Sequence, residues 1–499
     1  MVSIDRRRFL FAGAAAAASL RGLAQSAAAP APYVAKLALG DPGPAVPANF
    51  VGLSYETQQL SDPSFFSPAN SGLIAQFRAL APHGVLRIGG NTSDVGWWKP
   101  TPATPMPPLP GNVVLTIPSG ERSPLDLAYA VTPEAVRNLR GFLDATGWTC
   151  LYGIDLGTNT PALAAEQAVF VAKTLGATLE YFQLGNEPDH FPNRFRVRAT
   201  WTANAYLDEW LAAANAVRAR VPEARFGMPD IAGVVDWLAP IADRLAALPG
   251  APPVAAISHH YYFSGPPSNP KVNINDLLHD DPRVAHDAGL ARAAAMKLHT
   301  RWRMTEGNTC NRGGKPGVSD VFAAALWSAD YLLKLAWLGY AGVNLHGGDG
   351  QMVANSLGGR LPGDDLVADD PATHPHPYYT PIAHFRSGYV AEPVSFGMRF
   401  AGRFSGATMV AADFDPGPVN ATAYAAKGAD GDTLIAIVNK DSTQGVTVPL
   451  PSAAHRWYST SADALDATTV REGQGTGPIS GAATVGPHTM FLLTGFKRA

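Results

Sequence analysis

Between residues 50 and 348 the chain keeps returning to one rhythm. A short apolar run stops at a glycine or a polar residue, a stretch with helical spacing follows, and another short run begins. Eight such runs fall at residues 50–56, 85–90, 149–156, 179–184, 224–229, 254–262, the run ending at Glu306, and 342–348. Helical spacing fills most of the gaps, as at 133–146 and 202–220. Strands alternating with helices imply a parallel sheet. Eight of them, with no glycine-rich phosphate fingerprint after the first, favour a closed (β/α)8 TIM barrel over an open doubly wound sheet. The reading is therefore an α/β chain with its barrel over residues 49–388. From about Val390 the pattern becomes strand-like runs separated by turns, with no convincing helix, which predicts a C-terminal antiparallel β-sandwich over residues 389–499. A strand-like stretch at 34–39, within a segment spanning 30–48, is expected to join that sandwich and clamp the two chain ends together.

The fourth run ends in Gln183-Leu184-Gly185-Asn186-Glu187-Pro188. Pro188 has no N–H and turns Glu187 away from helix, so the strand stops there with an amide and a carboxylate side by side. The seventh run ends in another carboxylate, Glu306. Catalytic groups of such barrels sit at the C-terminal strand ends. Two carboxylates presented there are the minimum equipment for cleaving a glycosidic bond, with a separation of ~5–5.5 Å marking a retaining enzyme. Glu187 beside Asn186 suits the acid/base, and Glu306 the nucleophile. The sixth run ends in Ser258-His259-His260-Tyr261-Tyr262, where a tyrosine could donate to the nucleophile and keep it ionised. The paired histidines face opposite sides of a strand and cannot share one metal ion. His374-Pro375-His376 reads as loop.

The first 29 residues are set aside as a Tat-type export signal. Arg6-Arg7-Arg8-Phe9-Leu10 is followed by an alanine-rich apolar run too short to span a bilayer. The expected location is periplasmic or secreted, with no membrane span. Without that segment 34 basic and 40 acidic residues remain, a formal charge of about −6. A mildly acidic protein argues against a nucleic-acid partner. Cys150 and Cys310 are read as unpaired, and no cofactor or metal framework is present in the sequence.

Taken together, Leu86-Arg87-Ile88-Gly89-Gly90-Asn91, Leu184-Gly185-Asn186-Glu187-Pro188, His259-His260-Tyr261-Tyr262, Glu306 with Gly313-Gly314, and Ser319-Asp320-Val321-Phe322-Ala323-Ala324 resemble glycoside hydrolase family 79. That is the heparanase and bacterial β-glucuronidase family of retaining barrel glycosidases. The resemblance covers roughly residues 50–385 and implies cleavage of β-glucuronides. It implies Glu187 as acid/base, Glu306 as nucleophile, Asn186 on the sugar 2-hydroxyl and Tyr261 on the nucleophile. Glu56, His259, Tyr262, Tyr378 and Tyr379 are the expected substrate-binding residues. Where the family pattern has an aromatic near position 311, this chain has Cys310-Asn311. Few basic residues lie in the long loops at 96–120 and 263–284, which favours exo action over heparanase-like endo cleavage of a sulfated polymer. Another retaining barrel glycosidase, a β-xylosidase or arabinofuranosidase, is the alternative among enzymes. A non-catalytic carbohydrate-binding protein is the alternative from another class.

Overall fold

The computed structural model describes residues 30–117, 119–359, 361 and 377–496. The expected export signal and His374 and His376 lie outside the described residues. Eight parallel strands close into a barrel: β1 (Val51–Glu56), β2 (Val85–Gly89), β3 (Thr149–Ile154), β4 (Leu179–Leu184), β5 (Phe226–Ile231), β6 (Val254–Ser264), β7 (Arg301–Cys310) and β8 (Val343–Gly347). Each pairs with its neighbours in chain order, and β8 returns to β1 through Val343–Val51 to Gly347–Tyr55.

Period-two alternation decides which side chains face the barrel axis. In β1, Val51, Leu53 and Tyr55 pack outward into the main core under the helices. Gly52, Ser54 and Glu56 therefore point inward. The same alternation turns Val85 and Arg87 of β2, Tyr181 and Gln183 of β4, and Asn344 and His346 of β8 toward the axis. Val85, Leu151, Tyr181 and Ala256 form a small apolar cluster of their own. Above that floor the interior is polar.

Eight helices surround the strands: α1 (Ser71–Leu80), α2 (Pro133–Thr146), α3 (Pro161–Leu175), α4 (Ala203–Arg220), α5 (Leu238–Ala246), α6 (Pro282–Lys297), α7 (Phe322–Trp337) and α8 (Pro393–Gly402). Their ends follow from sequence. Thr132, Thr160 and Thr202 cap α2, α3 and α4, each accepting an N–H three residues on, with proline opening α2 and α3. Helix α8 corrects the expectation of no helix beyond Val390. Its sequence hides it, because Gly397 and Gly402 weaken the helical signal. Gly397 is there for packing: a Cβ would meet the Ala325 carbonyl at 2.0 Å and Ser328 Oγ at 2.1 Å, on α7. Helix α8 contacts α7 and α1 and so completes the helical ring past the expected boundary at residue 388.

Beyond α8 the chain forms two further sheets, antiparallel except that Tyr33–Val34 pairs parallel with Val446–Thr447. A seven-stranded sheet runs in the order Lys36–Ala45, Thr408–Asp415, Ala421–Lys427, Thr433–Asn439, Thr489–Thr494, Ala454–Ser461, Arg471–Ile479. A three-stranded sheet holds Tyr33–Val34, Val446–Pro449 and Ala482–Val485. One core, including Ile435, Ile437, Leu493, Val446 and Val485, joins the two sheets. The opposite face of the larger sheet, with Ala436, Val438 and Leu492, packs into the barrel's core. Lys36–Ala45 pairs antiparallel with Thr408–Asp415, so the first part of the described chain is stitched to the last part. Cys150 and Cys310 are free and buried. No helix among the described residues is long and apolar enough to cross a membrane.

Candidate active site

The C-terminal ends of the strands open into a cavity of about 1180 Å3. Glu56, Glu187, Tyr262, Glu306, His346 and Tyr379 all line it. Arg87 organises its floor from a buried position on β2. It donates through Nη1 to Glu306 Oε2 (2.7 Å) and Ser54 Oγ (3.0 Å), through Nη2 to Asn186 Oδ1 (2.7 Å), and through Nε to Gln183 Oε1 (2.9 Å). A fork this fully used fixes geometry as well as charge. Asp230 adds a second carboxylate 3.7 Å from Nη2.

Glu306 is bonded on both oxygens. Tyr262 OH donates to Oε1 at 2.8 Å, opposite the Arg87 contact on Oε2. Burial would raise its pKa, but the charges of His346, His260 and Arg87 outweigh that and hold it below the usual carboxylate range. His346 stands between two carboxylates, Nε2 3.3 Å from Glu56 Oε1 and Nδ1 3.7 Å from Glu306 Oε2. Glu56 also accepts from the N–H and hydroxyl of Thr92, at 2.9 and 2.6 Å.

Glu187 follows Gly185, whose φ of +79° turns the chain at the strand's end, and itself lies in the left-handed region at φ +47°. Its N–H donates to the Asp230 carbonyl at 3.0 Å. Asp94, buried below the loop, accepts from the N–H groups of Leu156, Gly157 and Asn186 and so holds Asn186 and Glu187 in place. Glu187 Oε1 lies 3.0 Å from His260 Nδ1, and Oε2 lies 3.3 Å from His190 Nδ1. Burial would raise its pKa, yet hydrogen bonds from the two histidines draw it well below the ordinary range. A carboxylate oxygen of Glu187, a ring nitrogen of His260 and a carboxylate oxygen of Glu306 all lie within 4.8 Å of one another. Such a trio has the spacing of a cation's ligands. Here, however, Arg87 and Tyr262 engage both Glu306 oxygens and Glu187 engages His260 Nδ1, a donor set already spent on hydrogen bonds.

Strand β6 requires two corrections. Tyr261, expected on the nucleophile, turns outward, donates to Asp281 Oδ2 (2.8 Å) and stacks on Tyr331 of α7. His259, expected to bind substrate, turns outward too, its Nε2 2.7 Å from Tyr340 OH. Period two places His260 and Tyr262 on the inner face with Ser258, and His259 and Tyr261 on the outer face with Ile257. Ile257, an aliphatic residue bound for the helix layer, was the signal that could have set that phase. Tyr378 is fully buried and does not line the cavity, whereas Tyr379 does, 6.2 Å from the Tyr262 ring. Glu56 lines the cavity, and Asn186 is buried beneath it, its oxygen on Arg87 Nη2 and its amide nitrogen 3.2 Å from Asn91 Oδ1. Arg87, His190, His260, Asp230 and His346 went without roles in the sequence reading. Arg87 was the most legible of them, since a charge amid Val85, Leu86 and Ile88 must find partners inside the barrel.

Two of the four lysine and arginine residues that line the cavity are neutralised locally. Arg283 pairs with Asp281, and Arg312 with Glu121. Arg194 lines the cavity and donates to the Ser356 carbonyl; Arg196 is buried on Glu209.

No family model matches this chain. It is 27% identical over 310 residues to a β-glucuronidase of Aspergillus niger, covering 58% of this chain and 55% of that protein. A β-glucuronidase of Neurospora crassa is 26% identical over 320 residues, covering 58% and 54%. The chain thus spans about half the length of the curated relatives it matches. Among solved structures, a 4-O-α-L-rhamnosyl-β-D-glucuronidase from Fusarium oxysporum aligns with a TM-score of 0.65 and 17% identity, over 92% of this chain and all of that one (100%). A GH51 arabinofuranosidase from Xanthomonas axonopodis pv. citri gives 0.64 and 14%, over 92% and 99%. The likeness is one of fold: an eight-stranded barrel with additional antiparallel sheets, as found in glycosidases.

Proposed function

We propose that the protein is a retaining exo-β-glucuronidase of the family 79 type. The observation that carries the mechanism is the pair of strand-end carboxylates, with oxygens within 4.8 Å and unlike surroundings. A retaining glycosidase needs a closely spaced pair, in which one carboxylate attacks carbon and the other manages a proton. In the first step a Glu306 oxygen bonds to the anomeric carbon, the bond to the leaving oxygen breaks, and Glu187 supplies that oxygen's proton. In the second, water attacks the same carbon, Glu187 takes the water's proton, and Glu306 departs. Arg87 and Tyr262 keep Glu306 anionic and aimed. Arg87 binds the Asn186 oxygen and Asn91 Oδ1 accepts one hydrogen of its amide nitrogen (3.2 Å), which leaves the second hydrogen to donate toward the sugar's 2-hydroxyl. Glu56, backed by His346 and Thr92, offers acceptors to other hydroxyls.

The two curated relatives support glucuronide as the sugar. With Arg283 and Arg312 paired, Arg194 and Lys271 are the cavity-lining arginine and lysine without a carboxylate partner among the described residues. That modest positive charge supports exo action, since a sulfated polymer would call for more. The arabinofuranosidase likeness supports the alternative of another retaining glycosidase. Export from the cytoplasm is also proposed, on the twin-arginine segment alone. We assign the outer antiparallel sheets to a family-type sandwich domain.

The test is hydrolysis of p-nitrophenyl β-D-glucuronide by the protein and by Glu306→Gln, with β-xyloside and α-L-arabinofuranoside assays alongside. Glucuronide turnover that drops at least ~10³-fold in Glu306→Gln supports both sugar and nucleophile. Turnover of a pentoside instead discards the sugar assignment and keeps the mechanism. No turnover of any of the three overturns the enzymatic reading in favour of carbohydrate binding.

A further inference from the structure

Glu187 poses a chemical problem. The acid of the first step must carry a proton, yet hydrogen bonds from His190 and His260 draw its carboxyl well below the usual carboxylate range. The turn that follows it shows where the proton can reside. Pro188 opens a short 3-10 helix, Pro188–Asn193, and the His190 N–H donates to the Glu187 carbonyl at 2.8 Å. Two anchors hold that turn. Trp201 Nε1 donates to the Pro188 carbonyl (2.7 Å), and the Asp189 carboxylate accepts from the N–H groups of Ala232, Gly233 and Val234. The His190 ring is thereby returned to Glu187 Oε2 while its side chain stays 52% exposed in the cavity. On the other side, Oε1 faces His260, which is fully buried with Asp230 3.8 Å behind its Nε2. The remaining charges facing this pair are Glu306 across the site and Asp189 and Arg194 beside His190.

We infer that His190 is a positioning residue that shares the acid's proton, so that the Glu187–His190 pair, rather than the carboxyl alone, titrates as the acid of the first step. The inference rests on the assignment of Glu187 as acid/base. The pair loses its last proton at a higher pH than either group would with the other absent, because the proton has two places to reside. His190 is shifted in the matching direction, upward, chiefly by its hydrogen bond to Glu187. Seating an aglycone covers the half-exposed ring, and loss of water disfavours the imidazolium. The proton then passes from His190 Nδ1 to Glu187 Oε2, leaving neutral imidazole. The O–H bond breaks as the glycosidic oxygen takes the proton and leaves the anomeric carbon. In the second step Glu187 takes a proton from the attacking water and returns one to His190 Nδ1. The count closes over the cycle.

The experiment compares His190→Asn and His190→Ala with the parent enzyme in kcat/KM against pH, using methyl and p-nitrophenyl β-D-glucuronide. In both variants the basic limb is expected about one pH unit lower, with the low-pH plateau equal to the parent's or higher. The methyl glycoside, whose leaving group depends most on the proton, should show the larger loss at neutral pH. A lowered plateau with an unmoved limb means a structural role and overturns the inference. Glu187→Ala separates this from failure of the underlying assignment. It should lose methyl glucuronide hydrolysis and recover p-nitrophenyl turnover with added azide. If it keeps methyl glucuronide hydrolysis, Glu187 is not the acid/base; if it behaves as expected while the His190 limb stays put, only the His190 inference falls. An NMR titration of the His190 ring needs no substrate. Its midpoint should fall in Glu187→Gln, and an unchanged midpoint overturns the coupling.

Discussion

Arg87 and Arg303 are both fully buried inside the barrel, and almost nothing else about them is alike. Arg87 uses three nitrogens on four side chains, one of them the Glu306 carboxylate, and the charges of Asp230 and Glu306 raise its pKa despite burial. Arg303 lies nearer the start of its strand, donating to Asn344 Oδ1 (2.7 Å) and the Ala341 carbonyl (3.3 Å). Its Nη2 has no hydrogen-bond partner among the described residues, and burial lowers its pKa. The nearby chain has shrunk to admit it: a Cβ on Gly342 would lie 2.2 Å from Arg303 Nη1. Burial alone therefore does not mark a functional charge in this barrel. What marks it is whether the fork ends on groups that face the cavity.

The largest expected effect comes from Arg87. Arg87→Met strands buried carboxylates without their countercharge, and breaking such a pair costs about 3–5 kcal/mol, or roughly 10²–10⁴-fold in rate if expressed at the transition state. Arg87→Lys should be nearly as damaging, because a point charge cannot hold Glu306 and Asn186 together. Near-normal kcat/KM in Arg87→Lys would show that charge matters here and the fork does not. The next effect separates the faces of β6. Tyr262→Phe removes a hydrogen bond to a charged group, worth about 1.5–3 kcal/mol, so kcat/KM should fall roughly 10- to 100-fold. Tyr261→Phe should change it by less than about threefold, because its hydroxyl serves Asp281 on the helix side. Equal losses in a side-by-side assay would erase the inner and outer distinction. The smallest effect belongs to Arg303→Met. Arg303 bonds an amide oxygen and a carbonyl rather than a carboxylate, so its replacement by an apolar chain of similar length strands no buried charge. Activity should stay within about twofold of the parent and thermal unfolding within a few degrees. An Arg303→Met variant as inactive as Arg87→Met would break the contrast between the two arginines.

The barrel was legible because its strands advertise both faces: outward residues such as Val51, Leu53 and Tyr55 are apolar, and each strand stops at a turn residue. Glu187 and Glu306 could be placed because a carboxylate at a strand end has only the mouth to face. Phase within β6 was harder. Four consecutive polar or aromatic residues, His259 to Tyr262, are all compatible with either side, and only Ile257 and Ser258 before them set the parity. Register between β6 and β7 also slips, pairing His259 with Met304 but His260 with Glu306, and a bulge of that kind re-aims side chains without a sequence signature. Helix α8 was obscured by the glycine its packing demands. His190 escaped notice because its meaning depends on the left-handed turn at Glu187, a conformation that sequence pattern does not report for a non-glycine residue.

The pairing of Lys36–Ala45 with Thr408–Asp415 also sets a schedule. A ribosome adds roughly 360 residues between the two strands, which at about 5–20 residues per second takes some tens of seconds. Throughout that interval the early strand has emerged with its main-chain groups unpaired, an invitation to the wrong neighbour. Lys36, Asp41 and the prolines at 42 and 44 make it a poor template for such encounters. A segment made some hundreds of residues before its partner is thus among the last to pair, and its composition suits it to wait.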